Sequence, residues 1–408
     1  MLGGFNIRLP IRPAHSCAIR LGALVVLGAF TGPLVLFAQY EVGPADSERF
    51  ERYLTRQEWT SLSCQVNHWP ARLDYAFRFQ AGYYVELPLK QYSGEKNILR
   101  IMTRITPVRE GEPSKDLIQQ FTLPPVPDKT RAVLGVDGGF MVGEGRFLVE
   151  LLLADNNGRA CRAHWTFTAS RSHEEKRVQV AIEPGKVEAL NRLRWRDALP
   201  PEMGAPKLTV MLDATPLDPT SPKLHYFDRV LLLNSLVSMM QHVHYSAVHV
   251  VAFNLDQQRI IFDQADFDDE AFRRLSRLLN DLELAAVNVH VLSDPGGHLR
   301  MLAKLMNTEA TAVAPSRAVI ILGPASRLQD RFPAAMLEHP TALPPVYYFE
   351  YHPFWVRNAD FADVLFNLAQ TCEGKTFHIH SPGELATAIE VLNRALAQQP
   401  RTAASAER

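Results

Sequence analysis

The most constraining feature of the chain is a set of short segments in its C-terminal half that are apolar almost without a break. Leu208-Thr209-Val210-Met211-Leu212 and Ala318-Val319-Ile320-Ile321-Leu322 offer no polar face. A strand of that kind must be covered on both sides, as in a parallel sheet clothed by helices. Helical patterns at 224–241, 267–284, 298–306, 361–371 and 382–397 alternate with further strand patterns at 287–292, 346–349 and 376–379. Segments 247–253 and 259–262, joined by Asn254-Leu255-Asp256-Gln257-Gln258, read as a hairpin. The expected fold class is therefore α/β, with a doubly wound, mainly parallel sheet over residues 207–398 and one antiparallel hairpin at its edge. Such sheets bind ligands beyond the carboxyl ends of their strands, at the point where strand order reverses. Asp213, directly after the first strand, falls at that point.

A different pattern precedes it. Ile98-Leu99-Arg100-Ile101-Met102-Thr103 alternates apolar and polar side chains, the period of a half-buried strand. Phe147–Leu153 and Arg162–Thr168 flank Asp155-Asn156-Asn157-Gly158, a strong turn signal. Gly138-Gly139 and Gly143-Glu144-Gly145 also read as turns. Residues 61–170 are expected to form a β-sandwich, with 40–60 as a lead-in, 171–206 as a connector and 399–408 as a disordered tail.

Residues 1–39 read as a signal peptide. Arg8, Arg12 and Arg20 precede an apolar run from Leu21 to Ala38, which Thr31-Gly32-Pro33 interrupts. The alternative is an uncleaved membrane anchor. Either places the remainder outside the cytoplasm, periplasmic or secreted, with no other membrane span. Of the four cysteines, Cys17 lies in this leader. Cys64 and Cys161 share the strand-rich region and are the expected disulfide pair, which leaves Cys372 as a buried, inert thiol. A formal net charge of −1 gives no overall field for nucleic acid.

Asp213-Ala214-Thr215-Pro216-Leu217, the long helix and edge hairpin after it, and the closing run from Leu368 to Leu385 together resemble a von Willebrand factor A domain, across roughly residues 205–398. The mature chain also resembles exported relatives of that family of acidobacterial type. The resemblance implies a metal-ion-dependent adhesion site that is degenerate. Asp213 matches the family's first Asp and Thr215 its first hydroxyl. Leu217 replaces the second hydroxyl, Gly296-Gly297-His298 stands near the threonine loop, and Leu322-Gly323-Pro324 replaces the late Asp. Mg2+ needs hard oxygen ligands. Asp213 and Thr215 are thus expected to be vestigial ligands of an unoccupied site. No cofactor is expected, Mg2+ being the one that the resemblance would allow. The binding face implied is Asp213, Thr215, Leu217, His298 and Gly323.

The remaining constellations have plainer readings. His242, His244 and His249 lack an evident third ligand, as do His378 and His380 on either side of Ile379; all five read as surface or packing residues. Asp266, Asp268, Asp269 and Glu270 read as a solvated helix start. Tyr347, Tyr348, Phe349, Tyr351, Phe354 and Trp355 form either a protein contact or a loop tucked against a neighbouring domain. No Gly-x-Ser-x-Gly, P-loop or His-Glu-x-x-His motif is present. The function expected is therefore non-enzymatic: an exported protein–protein binding or scaffold protein with an unknown partner. The alternatives are an envelope hydrolase with an unrecognised site and a structural subunit of an envelope assembly. On this reading Asp213 is dispensable for partner binding.

Overall fold

The computed structural model describes residues 6–8, 39–56, 58–94, 96–109, 111–190, 195, 198–216, 221–284, 289–352 and 362–398. Most of the signal segment, the 399–408 tail, Leu217, Phe354 and Trp355 lie outside them. The chain divides into two units. One takes in Met1–Arg72, Arg78–Ser170 and Val180–Arg192; the other takes in Leu73–Phe77, Arg171–Gln179 and Leu193–Arg408.

The first unit is built from β1 (Asn6–Arg8), β2 (Tyr40–Glu41), α1 (Pro44–Thr55), β3 (Thr60–Ser61), β4 (Gln65–Leu73), β5 (Phe79–Pro88), β6 (Ile98–Pro107), β7 (Lys115–Thr122), β8 (Val133–Val142), β9 (Gly145–Asp155), β10 (Arg159–Ala169) and β11 (Val187–Ala189). One sheet runs β1-β8-β5-β4, with β11 also on β8; the other runs β2-β7-β6-β9-β10-β3. Their facing side chains make the core. The Tyr83 hydroxyl on β5 meets Thr103 Oγ1 on β6 at 3.0 Å, and Phe140 on β8 meets Phe167 on β10. Gly138 is required beside them, because a Cβ there would lie 2.2 Å from the Tyr83 ring. The β9–β10 turn closes on Asp155, whose Oδ1 accepts from the amides of Asn157 and Arg159, while Gly158 supplies φ +77°.

The second unit contains β12 (Lys207–Asp213), α2 (Tyr226–His242), β13 (Ala247–Asn254), β14 (Arg259–Gln264), α3 (Asp269–Asn280), α4 (Val289–Ser293), α5 (Gly297–Ala310), β15 (Ala318–Pro324), β16 (Val346–Tyr351), α6 (Val364–Thr371), β17 (Lys375–Ile379) and α7 (Pro382–Gln398). Its sheet order is β14-β13-β12-β15-β16-β17. Met211, Val251, Phe253, Val319, Ile321 and Tyr348 from the strands are buried with Leu302 and Met306 of α5 and Leu365 and Leu368 of α6. Asp268 caps α3 by accepting from the Ala271 amide, with Asp269 and Glu270 in the first turn, where the helix dipole favours them. The histidines read as packing residues go separate ways. His242 Nδ1 lies 2.7 Å from Ser238 O, His244 pairs with Glu202, and His249 bridges Glu309 and Asp263.

These sheets correct the expected fold class. The chain is mostly β, with seventeen strands against seven α-helices among the described residues. Its sheets are antiparallel or mixed, and the third is itself mixed, since β14 runs antiparallel to β13. It is not a doubly wound, mainly parallel α/β sheet. The von Willebrand factor A-like domain and its degenerate adhesion site fall with that fold class. The physical reason is that an uninterrupted apolar run shows only that a strand is covered, and does not weigh the antiparallel strands elsewhere in the chain. A smaller correction has the same root: 287–292 was expected as a strand, yet Val289–Ser293 is helical, because so short an apolar run fits either. Among the described residues no helix is long and apolar enough to cross a membrane.

Cys64, just before β4, is bonded to Cys161 on β10, with Cα atoms 6.1 Å apart and 97 residues of separation. Cross-linking a loop that long restricts the unfolded chain by about 4–5 kcal/mol in the chain-entropy picture. Replacing both cysteines by alanine should lower unfolding stability by about 2–5 kcal/mol in denaturant titration. A change below about 0.5 kcal/mol would mean that the bond adds nothing to the fold.

Candidate functional site

At the carboxyl ends of β12, β13 and β15, five loops are tied to one another. After β12, Ala214 O accepts from Asn254 Nδ2 (2.8 Å) and Thr215 Oγ1 accepts from the Leu255 amide (3.0 Å). That fixes the loop to the β13–β14 turn. From the same turn, Asp256 pairs with Arg327 beyond β15, and Gln258 Nε2 donates to Asp294 O before α5. Ser326, one residue before Arg327, donates its amide to Asp363 Oδ2 at the start of α6 (2.6 Å). Gly323 lets β15 approach, since a Cβ there would lie 2.6 Å from Asp213 Cβ.

Two buried acids anchor this face. Asp213 Oδ1 accepts from both the amide and the hydroxyl of Thr215. Asp213 Oδ2 is buried and has no hydrogen-bond partner among the described residues. Burial first, then the charges of Asp363 and Asp256, pushes the Asp213 carboxyl up to about 7 against the pull of the Thr215 hydrogen bonds. Asp363 is better satisfied: it also accepts from the Phe366 amide (2.7 Å) and lies 3.1 Å from the Tyr348 hydroxyl. It too is pushed up, to about 6, first by burial and then by the Glu350 charge. Near neutral pH, Asp213 is therefore divided between acid and carboxylate.

Asp213, Thr215 and Gly323 thus come together, and the 294–297 segment joins them through Gln258. His298 does not turn inward; its Nε2 lies 3.0 Å from Asp330 Oδ2, though not aligned for a hydrogen bond. Leu217 is outside the described residues. The donor set does not fit Mg2+. The Thr215 hydroxyl spends its hydrogen on Asp213 and a lone pair on Leu255, Gly323 offers no ligand, and Asp363 is spent on amide and phenol donors. Asp213 Oδ2 alone does not make a hard-oxygen shell.

A second group lies at the ends of β16 and β17: Glu350, His352 and His378, whose ligand atoms all lie within 4.8 Å of one another. Reading His378 and His380 as packing residues missed it. Glu350 and His352 were not singled out as ligands at all. The one available signal was the shared i, i+2 spacing of Glu350 with His352 and of His378 with His380, which puts each pair on one face of its strand.

No family model matches the chain, and no curated protein does. Among solved structures, the ApaA protein of Bordetella pertussis is 14% identical with a TM-score of 0.20, over 28% of this chain and 99% of that one. Spo0M of Bacillus subtilis is 16% identical with a TM-score of 0.16, over 30% and 55%. A glycosyl hydrolase family 2 member from Bacteroides cellulosilyticus is 11% identical with a TM-score of 0.17, over 79% and 39%. Likenesses at these scores carry nothing about function.

The raised Asp213 value has a definite sign. An acid whose folded value lies above its unfolded value of 3.8 adds stability at low pH that is lost as pH rises toward about 7. His249, raised mainly by its bond to Glu309, contributes with the same sign, so a difference measurement is needed to isolate Asp213. From pH 8 to pH 5 the wild-type chain should gain about 2–3 kcal/mol over Asp213→Asn, at about 1.4 kcal/mol per pH unit. Parallel stability curves for the two proteins in urea would show that Asp213 titrates normally.

Proposed function

We propose that this chain is a non-enzymatic protein-binding or scaffold protein that works outside the cytoplasm and holds its partner on the loops around Asp213. The carrying observation is Asp213 Oδ2, a buried acceptor without a partner among the described residues. A buried polar atom left unpaired costs about 1–3 kcal/mol, so its retention calls for an explanation. A donor from a bound protein would supply one. The surroundings suit such a contact: a desolvated anchor, rimmed by the Asp256–Arg327 ion pair, both members about one-third exposed. The Cys64–Cys161 bond supports an oxidising compartment. No cofactor takes part at the Asp213 loop.

This reading reverses the sequence-based expectation that Asp213 is dispensable. In Asp213→Asn, Thr215 still needs an acceptor, which turns the new amide nitrogen toward the position of Oδ2. A donor then faces the partner's donor. A photocrosslinking residue placed at Asp256 or at Arg327, in cells that naturally make the chain, should give one common adduct. A control position at Arg277 on α3 should not give it. Asp213→Asn should reduce the adduct about tenfold or more, the equivalent of a charge-assisted hydrogen bond of at least about 1.4 kcal/mol. An adduct that Asp213→Asn leaves unchanged would sink the reading.

A further inference from the structure

Glu350, His352 and His378 are brought together by strand register. Glu350 on β16 stands opposite His378 on β17 in a parallel pair. The His352 amide donates to Ile379 O (2.9 Å) and carries the pairing one step further. Alternation along each strand then places residues 350, 352, 378 and 380 on one face. The contacts agree. Glu350 Oε1 lies 3.0 Å from His352 Nε2, Glu350 Oε2 lies 2.9 Å from His378 Nδ1, and the two imidazole nitrogens are 3.4 Å apart. The His380 ring stacks on His352 at 4.9 Å, and His380 Nδ1 lies 3.2 Å from Glu384 Oε2.

Those distances fit a metal as well as they fit hydrogen bonds. Glu350 can accept from each imidazole on a separate oxygen, and the two ring nitrogens still stand only 3.4 Å apart. In place of the two protons, one divalent ion would bond to both ring nitrogens and a carboxylate oxygen at once. Ligands held about 2.0–2.1 Å from a tetrahedral ion stand about 3.3 Å apart, close to the spacing found. Two imidazoles and one carboxylate form a donor set for zinc and its transition-metal neighbours, not for Mg2+ or Ca2+. The support is also of the right kind. Glu350 is buried, with 4% of its side chain exposed, and His352 is nearly so at 10%, stacked on a third imidazole. His378 is 54% exposed, so the group opens to solvent on that side.

We infer that Glu350, His352 and His378 form a binding site for one divalent transition-metal ion of the zinc class, with its fourth position open to water. The inference does not depend on the protein-binding proposal, which rests on other residues. Its test is calorimetric titration of the untagged, chelator-stripped full chain with Zn2+. One saturable equivalent of about micromolar affinity or tighter is expected, undisturbed by Mg2+ in about thousandfold excess. His378→Ala, at a half-exposed position, should weaken binding by at least about tenfold, the least that even supporting residues cost a metal site. Glu350→Gln should do the same. His244→Ala, which removes an exposed histidine elsewhere on this unit, should change nothing. If Glu350→Gln fails to fold, the His378 variant decides. No saturable equivalent, displacement by Mg2+, or wild-type affinity in His378→Ala would each overturn the assignment.

Discussion

Burial of β12, β15 and β16 on both faces constrains everything chemical about the second unit. Val210, Leu212, Val319, Ile320, Ile321 and Phe349 are each wholly enclosed. Ionisable groups in the body of such strands would have to lose their water without compensation, which costs several kcal/mol. The strand ends are where that cost can be met, because loop amides and helix starts supply donors there. Asp213 takes the Thr215 amide, and Asp363 takes two amides and stands at the start of α6. Glu350, one residue from the end of β16, takes imidazoles from its own and the adjoining strand. The acids Asp213, Glu350 and Asp363 thus stand at the ends of these strands, where donors can meet them.

The legible part of this arrangement was the part written in one stretch of chain. Asp213 stands out because it ends an apolar run, and Asp155-Asn156-Asn157-Gly158 because a two-strand turn needs residues of that kind. The edge hairpin was legible in the same way, since Asn254-Leu255-Asp256-Gln257-Gln258 parts two strand runs and β14 runs antiparallel to β13. The balance of the whole chain was not, because short apolar runs in one half do not weigh the antiparallel strands of the other. The Glu350 group was illegible for a related reason. Its members are separated by 26 residues or more across β16 and β17, and only the register Glu350↔His378 makes them neighbours. Each pair alone, Glu350 with His352 or His378 with His380, is an ordinary alternation at a strand end.

The acids also differ in how completely the fold satisfies them. Asp363 has a neighbour for both oxygens, while among the described residues Asp213 has two donors on one oxygen and none on the other. That asymmetry is local in origin. Thr215 is two residues from Asp213, so a tight turn brings its amide and hydroxyl to the same oxygen, and Gly323 lets β15 pass close beside the Asp213 Cβ. A Cβ at position 323 would push against Asp213 itself.

The acids at the strand ends are linked by their charges. Glu350 raises Asp363, and Asp363 raises Asp213. A divalent cation at Glu350 would cancel part of the first interaction and favour the ionised form of Asp363. By the reciprocity of linked equilibria, a proton on Asp363 would ease the approach of that cation less than its carboxylate does. The charge of Asp363 in turn makes the Asp213 carboxylate harder to form, after burial has already done so. A cation at Glu350 and a donor at the Asp213 loop would therefore bias the same neighbouring acids, although the two sites share no residue.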